Sequence, residues 1–323
     1  MDATALADQF LFNESSNESE IGSVTISYLF SIFASTLSFI ITCGNLLVIF
    51  SIIYFKQLHS PTNFLMVSLA VADLFVGLFL LPFSITIFMS SNVSSQDFLC
   101  KLRNSLDIFL CSTSISSLCC IAVDRYYAVC QPLSYRSKIN VRVVGIMILV
   151  SWSVAAFTGI VFTFRAPNKQ EENERCALFQ NKAQNTVVVG AVFCLFGIPS
   201  ILMVAIYLKI LVVAQRQARS IVNTSKSGAN VNKMERKATK TLAIVMGVFL
   251  VSWTPFFLCV SFYPVSKYSI PLHVIQLSKW LGWSNSMYNP CVYAFFYKHF
   301  RLAFRIIITG NIFQGEFKHS KLF

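Results

Sequence analysis

A carboxylate surrounded by apolar residues needs a cation, a proton or hydrogen-bond donors. Three acids in this chain stand in such places. Asp107 opens the apolar run Leu106–Val123, Asp124 closes it beside Arg125, Tyr126 and Tyr127, and Asp73 sits within Ser68-Leu69-Ala70-Val71-Ala72-Asp73-Leu74. Read as a helix, the run puts Asp107 and Asp124 about 26 Å apart, close to the thickness of a bilayer core. One acid then lies near the end of a membrane helix and the other at the opposite surface. An ionisable residue inside a span is costly and marks a function by default, so Asp107 is the candidate holder of a cationic group. Trp253, Phe256, Phe257 and Trp283 are aromatic faces able to surround such a cation.

The elements that must position these residues follow from composition. The 323 residues are 55% hydrophobic and 12% charged, roughly half the charged fraction of a soluble domain. Charge-poor windows recur at about 24–54, 62–96, 104–123, 143–164, 183–208, 241–266 and 268–297, each long enough to cross a membrane. The expectation is an all-α membrane protein: a seven-transmembrane helix bundle over 23–297, an N-terminal tail over 1–22, and a short amphipathic C-terminal helix with its tail over 298–323. Met1–Gly22 is acidic and has no basic n-region, so no cleavable signal peptide is expected and the first span acts as its own insertion signal.

With the N-terminus outside, the basic residues fall inside: Lys56, Arg136, Lys138, Arg142, eight between Lys209 and Lys240, then Lys298, Arg301 and Arg305. Most acids fall outside, including Glu14, Glu18, Glu20, Asp97, Glu171, Glu172 and Glu174. The net charge of +12 is thereby explained as a basic cytoplasmic face, and nucleic acid is not needed as a partner. Sequons at Asn13, Asn17 and Asn92 fall outside and are glycan acceptors, whereas Asn223 falls inside. Of the ten cysteines, Cys100 and Cys176 lie at the outer face in an oxidising compartment, where a disulfide between them is expected.

Within the spans, Asn45 reads as a helix-to-helix hydrogen bond and Trp152 as packing or an interface anchor. Asp73 calls for a partner, which a sodium-type water pocket with Asn285, Ser286 and Asn289 would supply. No other metal site is expected. Pro255 and Pro290 remove backbone bonds inside helical runs and kink them. The linker 216–237 is Ser-, Asn-, Gly- and Lys-rich and reads as mobile outside its helical ends. Lys298–Ile308 alternates basic and apolar residues at helical spacing, as in a helix lying on membrane lipid at the inner leaflet.

In order, one set per span, the chain carries Gly44-Asn45, Leu69-Ala70-Val71-Ala72-Asp73, Asp124-Arg125-Tyr126, Trp152, Pro199, Trp253-Thr254-Pro255 and Asn289-Pro290-Cys291-Val292-Tyr293. This set resembles the class A (rhodopsin-like) G-protein-coupled receptors over nearly the whole chain after the tail. Asp107 with Cys111 one turn below, Phe256-Phe257 after Trp253, and Trp280 with Gly282 resemble the aminergic branch. The strings Asn285–Tyr297 and Phe55–Asn63 are most similar to trace amine-associated receptors.

The resemblance implies a plasma-membrane, multi-pass receptor with its N-terminus extracellular, sensing biogenic or volatile amines, in many cases in olfactory neurons. It implies ligand contacts at Asp107, Ile108, Cys111, Trp253, Phe256, Phe257, Lys279 and Trp283. Coupling to a heterotrimeric, stimulatory G protein would use Asp124, Arg125, Tyr126, Tyr207, Glu235, Asn289, Pro290 and Tyr293. Glu235 is expected to pair with Arg125, with Tyr207 and Tyr293 as later partners of the freed arginine. Arrestin and a receptor kinase are further partners of such receptors.

The chain also departs from that pattern. Lys279 shares a helix face with Trp283, four residues on, and this face points toward Asp107 in the family. Two placements are open: a lysine snorkelling to the outer surface, or an ion pair with Asp107 that would weaken simple amines and favour zwitterions, with the lysine also able to take a ligand's acidic group. An opsin's retinal lysine would stand at Trp283 instead. Trp283 replaces a tyrosine usual in amine receptors, which removes a hydroxyl that helps orient Asp107. Ala191, Val192 and Leu195 stand where catecholamine receptors place serines. The tryptophan common before Phe98-Leu99-Cys100 is missing.

Rival functions fit less well. Internal repeats and paired broken helices, the marks of many transporters, are absent from the sequence. Catalytic motifs are absent too, and the scattered His59, His273, His299 and His319 form no metal-binding pattern, so no enzyme is expected. A serotonin- or adrenergic-type receptor is the alternative within the family.

Overall fold

The computed structural model describes residues 3–89, 96–165, 189–190, 193–222, 229–262 and 270–310, and among them there is no β-strand. The main helices are α1 (Ala3–Tyr54), α2 (Pro61–Phe75), α3 (Leu81–Met89), α4 (Gln96–Cys130), α5 (Pro132–Lys138), α6 (Val141–Arg165), α7 (Ile198–Val222), α8 (Ala229–Phe262), α9 (Leu272–Phe296) and α10 (Lys298–Ile308). A π-helical turn, Val76–Leu80, joins α2 to α3 into one span, and a second, Phe193–Gly197, leads into α7. Both wide turns precede a proline, Pro82 and Pro199. A proline lacks the N–H that would close the preceding turn, so the wider turn relieves the clash with the carbonyl behind it.

Local sequence sets the helix starts. Ser60 caps α2 by accepting from the Asn63 amide at 3.2 Å, with Pro61 at the first turn, where its missing N–H costs nothing. Asn140 does the same for α6, its Oδ1 accepting from the Val143 amide at 3.0 Å. Helix α1 begins at Ala3, well before the apolar window expected from residue 24, and the apolar stretch within it is Ser27–Tyr54.

Six helical stretches are long and apolar enough to cross a membrane on length and composition. The seventh crossing, α9, is long enough at 25 residues but is interrupted by Gln276, Lys279, Asn285 and Asn289. Three of them turn inward, since Lys279, Asn285 and Asn289 are all buried, while Gln276 is exposed. Phe39, Leu149, Phe157, Val251, Leu277 and Phe295 are each more than 60% exposed, and such a belt is stable only against lipid.

Helix α4 is the central post, packing on α2, α6, α7 and α8, while α1 closes the ring against α2 and α9. Trp152 does more than anchor an interface: its indole N–H donates to Ser68 Oγ at 2.9 Å, and Ser68 lies 3.3 Å from Ser117 Oγ, tying α6, α2 and α4 together. Helix α10 buries Phe300, Ala303, Phe304 and Ile306 and sets Phe300 against Tyr293 and Tyr297. Burial and the neighbouring Lys298 lower the pKa of His299 there. The linker is helical to Val222 and again from Ala229, and the residues between lie outside the described ones.

Helices α8 and α9 meet where Gly282 faces Trp253. A Cβ at Gly282 would stand 2.7–2.8 Å from the Trp253 ring, a distance that an indole held among Phe249, Phe256 and Phe257 cannot relieve cheaply. Gly282→Ala is expected to destabilise the fold by about 1–3 kcal/mol, the usual cost of overpacking. The check is a thermal midpoint in detergent beside Gly247→Ala, where nothing lies within 4 Å and no loss is expected.

Candidate functional site

Asp107 projects from α4 into the bundle, 8% exposed, and both of its oxygens are engaged from α9. Lys279 Nζ lies 2.6 Å from Oδ2, and the Trp283 indole N–H donates to Oδ1 at 2.8 Å. Lys279 does not snorkel: it is 7% exposed and folded inward. Its ammonium also lies 5.3 Å from the Trp283 ring and 5.8 Å from the Phe256 ring, within cation–π range. The spacing Lys279–Trp283 makes this geometry local, because residues four apart on a helix present side by side. Trp283 therefore does not leave Asp107 without an orienting donor. The indole N–H takes over the task expected of a tyrosine hydroxyl.

The aromatic wall is continuous. Phe257 stacks on Phe196 at 3.8 Å and packs against Trp253, which meets Phe256 edge-on. Trp280 packs edge-on against Trp283 and Phe30. A small cavity runs below the ion pair, lined among others by Asp107, Cys111, Ser114, Trp253, Asn285 and Ser286. Ile108 is partly buried beside Asp107 but does not line it. Leu195 is partly buried on the π turn before α7, while Ala191 and Val192 lie outside the described residues.

Ser286 connects this cavity to the second buried acid. Asp73, fully buried, accepts from Ser286 Oγ at 2.8 Å and Asn289 Nδ2 at 2.7 Å. Asn45 reaches across from α1, donating to the Ser286 carbonyl at 3.1 Å and the Ile41 carbonyl at 2.9 Å. The Oδ1 atoms of Asn45 and Asn285 are buried without a hydrogen-bond partner. The Asp73 carboxylate and the Ser286 hydroxyl are hard-oxygen donors, of a kind suited to a simple cation and not to a transition metal. Among the described residues no three His, Cys, Asp or Glu side chains cluster as metal ligands.

At the other end of α4, Asp124 is fully buried and holds Arg125. The guanidinium bonds Asp124 Oδ2 through Nε at 2.8 Å and through a terminal nitrogen at 2.5 Å, and it also reaches the Thr62 hydroxyl. Thr62 donates to Asp124 Oδ2 and the Tyr135 phenol to Oδ1, both at 2.8 Å. Tyr135 sits on α5, outside the spans, where burial and then Asp124 push its pKa upward, so it remains a donor. The side chain of Glu235, the partner expected for Arg125, lies outside the described residues. The hydroxyls of Tyr207 and Tyr293 are buried and unpartnered. Pro290 breaks the ladder of α9 one residue after Asn289, against Gly44 of α1. Tyr126 packs on Tyr127 and lies under the Lys209 ammonium.

Cys100 is buried and disulfide-bonded. Cys176, expected to be its partner, lies outside the described residues, as do Asn92 and the side chains of Asn13 and Asn17. Sequence reasoning missed Arg103, Thr62 and Tyr135. The first was readable as a basic residue one turn above Asp107. Leu133, 99% exposed on α5, carries no sequence signal beyond its apolar character.

Residues 44–293 match the family model described as the 7 transmembrane receptor (rhodopsin family). The chain is 42% identical over 299 residues to trace amine-associated receptor 1 of Macaca mulatta, with 87% of each chain covered. It is 41% identical over 297 residues to trace amine-associated receptor 4 of Mus musculus, covering 86% of this chain and 84% of the relative. The chain belongs to the trace amine-associated receptors of the rhodopsin family. This receptor is accordingly a multi-pass membrane protein and not an enzyme, with a small-molecule ligand and a G protein as its classes of partner.

In the receptor the buried ion pair sits beside a second cation, so its two halves are not equivalent. Removing one partner of a buried pair typically costs 3–5 kcal/mol, whereas removing both is often neutral. Asp107→Asn is expected to lower the thermal midpoint of the unliganded receptor more than the double variant Asp107→Asn with Lys279→Met. A scanning-fluorescence comparison of the two in detergent checks this.

Proposed function

We propose that this protein is a cell-surface receptor, N-terminus extracellular, that binds a protonated amine at Asp107 and activates a heterotrimeric G protein of the stimulatory kind, raising cyclic AMP. One observation carries the reading. A buried carboxylate already holds an ammonium, that of Lys279, at 2.6 Å against aromatic faces, which is the environment an amine ligand needs. The relatives' names support the amine class. A Cys100–Cys176 bridge would fix the outer loop as a lid, and glycans on Asn13, Asn17 and Asn92 would lie on the same side. Asp73 with Ser286, Asn285 and Asn289 would hold a sodium ion that neutralises the buried carboxylate.

An arriving amine must compete with Lys279 for Asp107, and this displacement repositions Trp283 and Trp253 at the head of the cavity leading to Ser286 and Asp73. At the inner face, the ligand must favour an arrangement in which Arg125 leaves Asp124. Tyr207 and Tyr293, with buried free hydroxyls, are the acceptors for the released guanidinium, and Leu133 offers an apolar knob to a cytoplasmic partner. Arrestin and a receptor kinase would act on the same face.

Two outcomes test this reading in cells expressing a cyclic AMP reporter. Asp107→Ala should abolish responses to phenethylamine and tyramine at surface levels matched to wild type, while Lys279→Met, which frees the carboxylate, should raise their potency on the order of tenfold. Equal amine responses with and without Asp107 would end the assignment. Separately, Tyr135→Phe removes one donor from Asp124, worth about 1 kcal/mol or roughly fivefold in an equilibrium. Basal cyclic AMP should rise by a factor of that order, and an unchanged baseline would separate this network from activation.

A further inference from the structure

Among the described residues, the charge at the ligand end of the bundle does not balance. Asp107 is paired with Lys279, and Arg103 lies one turn toward the outer end of the same helix, on the face of Asp107. Its guanidinium interacts electrostatically with both Asp107 and Lys279. Arg103 donates to Asn104 Oδ1 at 2.8 Å, but its buried Nε has no hydrogen-bond partner. Among the described residues two cations thus share one carboxylate, with Lys279 buried and Arg103 partly buried, where unpaired charge is expensive.

A simple amine adds a third cation to this cluster. To reach Asp107 it must evict Lys279, leaving that ammonium unpaired beside Arg103. A ligand that also carries a carboxylate meets no such penalty: its ammonium takes Asp107 while its acid takes Lys279 and Arg103. We propose that Arg103 and Lys279 form a carboxylate subsite, and that the receptor is selective for zwitterionic aromatic α-amino acids over the amines lacking the acid. The juxtaposition of Asp107 with Lys279 in direct contact sets the spacing. Only a ligand whose two charges lie a few Å apart, as on one α-carbon, can insert into a pair that close. The ring then falls on the wall of Phe256, Phe257 and Trp253. This inference rests on the amine-binding reading of Asp107 and names the ligand class for that site.

Matched pairs that differ only by the carboxylate test it: phenylalanine against phenethylamine, and tyrosine against tyramine. The readouts are cyclic AMP in cells and thermal shift of the purified full-length receptor. In the wild type each amino acid should be at least tenfold more potent than its amine, since a charge-assisted bond to arginine is worth that much or more. Arg103→Gln should cut the amino-acid response on the order of tenfold and leave the amine unchanged or stronger. The double variant Arg103→Gln with Lys279→Met should reverse the preference. An amine that outperforms its amino acid on the wild type, an Arg103→Gln variant with unaltered selectivity, or no shift with any amino acid overturns the inference. Asp107→Ala separates the two claims: if it silences the amines while the amino acids never act, only the carboxylate subsite fails. If it changes nothing, the parent reading fails as well.

Discussion

The contact between Asp107 and Lys279 is the constraint around which the outer half of the bundle is arranged. A carboxylate 8% exposed and a lysine 7% exposed are each unaffordable alone inside a membrane protein, and together they pin α4 to α9. Trp283 completes the arrangement by using both of its faces of chemistry: the indole N–H on Asp107 and the ring beside the Lys279 ammonium. Each half of the pair offers what an external molecule of opposite charge would need. Stability and recognition therefore draw on the same atoms.

From that pair a chain of small polar groups runs down the axis. The cavity under Asp107 ends at Ser286, Ser286 bonds Asp73, and Asn289 closes the other oxygen immediately before Pro290. Such a column is buried polar structure of the kind that persists only when nearly every member is satisfied. The unsatisfied members, the amide oxygens of Asn45 and Asn285 and the hydroxyls of Tyr207 and Tyr293, mark where an alternative set of partners would be accommodated. At the inner end Arg125 is held by its own neighbour Asp124, with Thr62 and Tyr135 from two other elements supporting the acid.

Much of this was legible beforehand, for physical reasons. Apolar windows broken by single acids announce membrane helices with buried charge, and prolines announce where backbone ladders open, so the bundle and the residues of α4, α8 and α9 could be read directly. The rest depended on side-chain direction. Whether Lys279 points to solvent or inward turns on a few rotamers of a long flexible chain, which spacing alone does not fix. Trp283 looked like the loss of a hydroxyl because an indole and a phenol reach a carboxylate from different positions. Arg103 went unread in the sequence, and only its placement beside the ion pair gives it meaning. The polar residues of α9 dilute its mean hydropathy, yet its charge-poor window still read as a crossing, because three of them line the interior.

The wide turn at Val76–Leu80 has a consequence for how such interiors diversify. One additional residue per turn advances helical phase by about 100°, so everything beyond it in that span presents a different azimuth from an unbroken helix. Val76 and Leu80, at either end of the turn, both line the cavity beneath Asp107, and the Gly77 carbonyl is caught by the Ser38 hydroxyl at 2.6 Å. Migration of that turn by a single position would dial another side chain into the chamber while every amino acid stayed the same. Azimuthal phase, set by where one backbone bond is skipped, thus shapes the chamber alongside the identity of the residues that line it.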